Sequence, residues 1–262
     1  MSPRKSDAAD ALTEPPDRVK RSGPVRARFA LRVSRSLGLA AWRLGERLQI
    51  DIAGGTEGPR PMTDGAPRET FEDLIAAARG GDGTVDTAAC PYPLHELLTH
   101  LVLEHGLLLH GSNHSALEVV DPSPARDWDT ELRAVVACDD GIWPIFYAVV
   151  ARDRIEGVFT ACMHLGRSSR LRRFYMFAIG GDPAESTSWT EGAVYALPRD
   201  GFRREWGHEW VNARPVRPEL CVPVSPDDFP LRDSVIGLSG PGEFRRVRDH
   251  LRAAKREQVS TP

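Results

Sequence analysis

His110 closes an unbroken apolar run, Leu107-Leu108-Leu109, and is followed at once by Gly111-Ser112. A buried strand ending this way delivers an imidazole, bare backbone and a hydroxyl to one sheet edge. There a small polar ligand can lie against the glycine while the two side chains donate and accept hydrogen bonds. The same tripeptide is also an ordinary strand end with a glycine turn and a polar cap. Downstream, Val136-Ala137-Cys138-Asp139-Asp140 ends a strand-like run in an acidic turn that reads as exposed. It leads into Trp143-Pro144-Ile145-Phe146-Tyr147-Ala148, a helix start that can turn Tyr147 toward the strand end of His110. A tyrosine beside Phe146 and Ile145 is also at home in a core. Last, Glu209-Trp210-Val211 opens a strand after Arg203-Arg204-Glu205-Trp206-Gly207-His208, which reads as a loop. A carboxylate at a strand mouth between two tryptophans suits a partly dry site where an anion stabilises developing positive charge.

Other chemistries lack their motifs. His95, His100, His105, His110 and His114 cluster in sequence, but His95-Glu96-Leu97-Leu98-Thr99-His100 is one residue too long for the H-E-x-x-H zinc pattern. Five-residue steps rotate successive ligands around a helix, so no shared metal is expected. Gly80-Gly81-Asp82-Gly83 is not followed by Lys-Ser/Thr, and no G-x-G-x-x-G opens a helix after a strand. Gly166-Arg167-Ser168-Ser169 lacks the closing glycine of a serine nucleophile elbow.

The elements that must position these residues follow from periodicity and punctuation. Residues 1–24 read as a disordered tail. Val25, Phe29, Val33, Leu37, Ala41, Leu44 and Leu48 recur at helical spacing among six arginines, giving a basic amphipathic helix over 25–51. That helix fits an anionic membrane surface, nucleic acid, a partner protein or its own domain. Gly and Pro mark 52–68 as a linker, so residues 1–60 are expected to be dispensable to any site. An α+β domain is expected over 69–240, with the motifs in 106–225. Helices are expected at about 69–79, 93–104 and 143–152. Strands are expected at Leu107–His110, Ala134–Cys138, Gly157–Met163, Arg173–Ile179, Ala193–Leu197, Glu209–Ala213 and Leu220–Val224. Without strand–helix alternation, the sheet should be mainly antiparallel. A basic helix at Gly242–Glu257, with its tail, completes 241–262.

Over the 262 residues, 41% hydrophobic content supplies a core, and the net charge of −3 is unevenly spread. Residues 1–50 carry 11 Lys/Arg against 5 Asp/Glu and residues 241–262 carry 6 against 3, leaving the acidic body at −12. Such a body argues against broad nucleic-acid binding by the main domain. Four cysteines without C-x-x-C spacing indicate buried thiols in a reducing compartment. No apolar stretch reaches the roughly 18 residues of a membrane span, and no signal core opens the chain. A cytoplasmic location is the default reading, although secretion without a cleaved signal would look the same.

Taken in order, the His110-Gly111-Ser112 strand, the Ala137-Cys138-Asp139 strand leading to the Tyr147 helix, and the Glu209-Trp210-Val211 strand resemble the His–Tyr–Glu pattern of the ADP-ribosyltransferase superfamily. The diphtheria-toxin and poly(ADP-ribose) polymerase branch is the closer match. The resemblance implies a split, mainly antiparallel sheet with flanking helices, and NAD as substrate. It implies that His110 bonds the adenosine ribose, that Gly111 and Ser112 hold the nicotinamide carboxamide, and that Tyr147 stacks on the nicotinamide. Glu209 would bind the nicotinamide ribose and stabilise the oxocarbenium-like transition state, with ADP-ribose passing to an unknown acceptor or to water. His110, Tyr147 and Glu209 should then converge on one cleft. Gly207 stands where arginine-modifying relatives carry Glu or Gln, which argues against a protein arginine as acceptor. Pro144 and His208 also fall outside the pattern. His208 reads as an exposed loop histidine, with an acceptor base as the alternative role. Two non-enzymatic readings stand beside this one: an interaction module on the same scaffold, and an adaptor working through its basic helix.

Overall fold

The computed structural model of the chain describes residues 56–60, 66–124, 133–165, 172–206 and 208–238. The expected tail, the basic helix at 25–51 and the C-terminal helix at Gly242–Glu257 lie outside these residues. The described part is α+β with mainly antiparallel sheets, as the element pattern predicted. None of its helices is long and apolar enough to cross a membrane.

Three helices arise where the apolar spacing placed them. Helix α1 (Ala66–Gly80) begins with Pro67 and Glu69 in its first turn, and buries Phe71, Ile75 and Ala78. Pro suits the first turn because the amide it lacks would have no partner there. Helix α2 (Leu94–Glu104) buries Leu94, Leu97, Leu98, Leu101 and Val102. It stops at His105, and Gly106 turns the chain with φ of 67°, a conformation that favours glycine. The short helix α3 (Trp143–Val149) is started by Asp140, whose Oδ1 accepts the Ile142 and Trp143 amides at 2.9 and 2.8 Å.

Most strands match expectation within a residue or two: β2 (Leu108–Ser112), β4 (Arg133–Cys138), β5 (Val158–Leu165), β6 (Arg172–Ile179), β7 (Gly192–Leu197), β9 (Glu209–Asn212) and β10 (Leu220–Val224). Shorter ones are β1 (Thr56–Glu57), β3 (Ser123–Pro124), β8 (Arg203–Trp206) and β11 (Ile236–Gly237). Two of these correct the sequence reading. The expected linker 52–68 contains β1, which pairs antiparallel with β6, and Arg172 holds Glu57 by two hydrogen bonds of 2.9 and 2.6 Å. The expected loop before Glu209 is β8, a hairpin partner of β9 with a bulge between Arg204 and Trp206.

One sheet runs β10-β7-β2-β4-β9-β8, with β3 beside β4. In the other, β5 lines one edge of β6, while β1 and β11 lie along the other, β11 in parallel. The main core combines the helices with apolar residues of both sheets, including Leu109, Phe146, Tyr175, Phe177, Val194 and Val222. Strand alternation sends Leu108, Val135, Ala137, Ala193, Tyr195 and Leu197 to a smaller cluster on the opposite face of the first sheet. Helix α3 lies directly on that sheet. A Cβ at Gly111 or Gly192 would overlap its backbone at Pro144 or Ala148, so glycine on two neighbouring strands admits the helix.

Candidate functional site

The three motif strands are neighbours. β2, β4 and β9 lie side by side, and one register row, Leu109 to Cys138 to Glu209, crosses all three. Leu109–Cys138 is the only paired rung between β2 and β4, whereas β2 and β7 pair over five residues. The sheet therefore opens between β2 and β4, and His110 stands at the opening. Its Nδ1 is 2.7 Å from the Val136 carbonyl oxygen. A carbonyl only accepts, so Nδ1 carries the proton and the ring spans the gap left by the missing rungs. Burial lowers the His110 pKa, and the Arg152 charge adds to this against the opposing bond to Val136. The ring is thus held neutral, with an Nε2 lone pair that can accept from a hydroxyl.

Glu209 enters the row from the far side of β4. Burial, followed by the charges of Asp140, Asp139 and Glu209, holds the Cys138 thiol far above its ordinary pKa, which makes this cysteine an inert filler. The acidic turn that the sequence suggested was exposed is not. Asp140 is 1% exposed, accepts the Ile142 and Trp143 amides at the start of α3 and accepts the Tyr175 hydroxyl at 2.7 Å. Asp139 accepts from His208 Nδ1 at 2.8 Å and from Arg204 at 2.9 Å. Burial raises the Asp139 carboxyl, but the bond and charge of His208, with Arg204, outweigh it and leave the pKa low. His208 is accordingly a half-buried partner of Asp139 rather than an exposed loop histidine. The indole of Trp210 carries the guanidiniums of Arg199 and Arg204 over its ring at 4.5 and 5.1 Å. Its buried Nε1 lies near enough to Asp139 to contribute to that lowered pKa, yet has no partner in hydrogen-bond geometry.

The expected convergence of side chains on one cleft is corrected. Alternation puts His110 in register with Tyr195, on the face of the smaller core, and Glu209 in register with Cys138, on the face of the main core. Tyr147 does not turn to the His110 strand end. Its hydroxyl lies 2.9 Å from Thr160 Oγ1 on β5, which also accepts Trp143 Nε1 at 3.0 Å. Gly111 is covered by α3, and Ser112 is 4% exposed with its Oγ accepting the His114 amide at 3.1 Å. Beyond the Ser112 end of β2, Ser115, Glu191, Gly192, Val224 and Asp228 line a groove of about 360 Å³. Its two carboxylates disfavour a pyrophosphate, and it contains none of His110, Tyr147 or Glu209.

Sequence reasoning missed the Asp139–His208–Arg204 network, for which Asp139 at the end of a predicted strand was the available signal. It also missed Glu72, which joins His100 and His105 between α1 and α2. Comparison of the chain with family models, curated proteins and solved structures gives no match.

Proposed function

We propose that the mouth formed by β2, β4 and β9 binds NAD and cleaves its nicotinamide–ribose bond, passing ADP-ribose to an acceptor or to water. The observation that carries this reading is the adjacency of the three motif strands, with the sheet opening at His110. Two interstrand spacings separate the His110 and Glu209 strands, about 10 Å, the scale of a dinucleotide rather than of a single ring. Because the two side chains favour opposite faces, the ligand would lie across the strand opening rather than flat on either face. A neutral His110 offers Nε2 to a ribose hydroxyl. Glu209 offers a negative charge to the anomeric carbon as nicotinamide departs with the bonding electrons.

A second reading is favoured by a specific observation: His110, Gly111 and Ser112 each already have a structural partner. On that reading the motif residues build a non-catalytic interaction module. Glu209→Gln separates the two, since the amide keeps the shape and loses the charge. Nicotinamide release from saturating NAD should fall by on the order of a hundredfold in the variant while NAD affinity changes little. Equal rates for variant and wild type would remove Glu209 from the chemistry, and absence of NAD binding by the wild type would leave the interaction module.

A further inference from the structure

Glu72 on α1 and His100 on α2, with His105 at the end of α2, point their polar atoms at one place. Glu72 Oε1 lies 2.8 Å from His100 Nε2 and 3.2 Å from His105 Nε2, and the three donor atoms all lie within 4.8 Å of one another. The five-residue step that should part the two histidines does not, because His105 is the residue at which the helix ends. A tetrahedral ion with bonds of about 2.0–2.1 Å holds its ligand atoms roughly 3.3 Å apart, close to the separations found.

The surroundings are those of a prepared site. The imidazoles are 9% and 16% exposed, while the Glu72 side chain is 42% exposed and opens the cluster to solvent. The His100 ring packs against Phe71 at 5.5 Å and against His105 at 5.6 Å, so both rings are held before any ion arrives. Without an ion, Nε2–H of both rings must converge on a single carboxylate oxygen. His105 Nδ1 then accepts from Arg79, 3.4 Å away. With an ion on Nε2, the remaining ring proton sits on Nδ1 and turns away the guanidinium, which already reaches Glu219 at 3.2 Å.

We propose that Glu72, His100 and His105 bind one divalent transition-metal ion of the zinc class, with water in the fourth position, tying α1 to α2. Two imidazoles and one carboxylate suit zinc, cobalt or nickel better than magnesium or calcium, which require mostly oxygen ligands. The site is independent of any activity at the strand mouth.

Full-length protein stripped with a chelator should take up one equivalent of Co²⁺ with visible absorption typical of four- or five-coordination, and Zn²⁺ should displace it. Zn²⁺ should raise the Tm, since an ion bound only to the folded state stabilises it. Glu72→Gln and His105→Gln should each weaken Zn²⁺ binding by at least about tenfold, the lower range for disturbing a metal site, and abolish the Tm shift. Glu72→Gln alters the most exposed of the three side chains, so it carries the test should a histidine variant fail to fold. Absence of a Co²⁺ spectrum, binding unchanged in the variants, or the same Tm with chelator as with Zn²⁺ would overturn the metal site; the last result would leave a hydrogen-bonded clasp alone.

Discussion

The strand mouth and the α1–α2 layer are both rich in polar groups and handle them in opposite ways. At the mouth, the polar atoms are mostly committed to main chain or to a fixed partner. His110 serves the Val136 carbonyl, Asp140 the first amides of α3, and Ser112 the His114 amide. Between the helices, two imidazoles, those of His100 and His105, gather on one oxygen of Glu72, with main chain taking no part. The first arrangement sets backbone geometry, and its residues can touch a ligand only with the atoms left over. The second holds a donor set whose members have no competing duty except Arg79 on one ring nitrogen. Removing a polar group at the mouth should therefore cost fold stability, whereas removing Glu72 in the absence of metal should cost less than about 1 kcal/mol, as for half-exposed ionic contacts.

The sharpest way to break that contrast is Gly111→Val. A Cβ there overlaps the α3 backbone at Pro144, which no rotamer change relieves. Unfolding free energy by urea should fall by more than about 3 kcal/mol, beyond the usual range for overpacking, because backbone must move. A loss under about 1 kcal/mol would show that α3 does not sit on Gly111, and the helix would become available to turn toward a ligand. Asp140→Ala comes next. It removes the acceptor of two helix-start amides and the partner of a Tyr175 hydroxyl that burial, followed by the Asp140 charge, already holds strongly protonated. A loss of about 2–4 kcal/mol is expected from the cap and the orphaned buried hydroxyl together. A near-neutral result would mean that Asp140 is held for a ligand rather than for the fold.

Particular residues explain what the sequence made legible. Leu220–Val224 and Arg133–Cys138 are short apolar runs bounded by turn residues, so they declared themselves as strands almost to the residue. Thr56–Glu57 did not, because two residues have no period and their surroundings are rich in glycine and proline. The α+β class followed from element order, whereas no local pattern in the sequence encodes that β2, β4 and β9 are neighbours. Facing was lost because alternation is set by pairing register, and register between β2 and β4 rests on a single rung. Glu72 was invisible for a different reason. Its partners lie 28 and 33 residues away on another helix, and no local spacing encodes how two helices cross.

The smallest effect, and the most direct test of His110, is in pH dependence. Its pKa in the folded chain is lowered from 6.5, first by burial and then by Arg152. The unfolded chain therefore binds the proton more readily, so the His110 contribution is fully present above pH 6.5 and is lost as pH falls through the folded pKa. Urea unfolding across that interval should show stability declining with pH in the wild type and a shallower decline in His110→Gln, which cannot titrate. At neutral pH the variant should lose about 1 kcal/mol if its amide fails to replace the bond to Val136. Should the slope be unchanged, the imidazole is not held neutral at the opening between β2 and β4. It could then carry a positive charge, its Nε2 would be a donor rather than an acceptor, and a ligand phosphate would fit there better than a ribose hydroxyl.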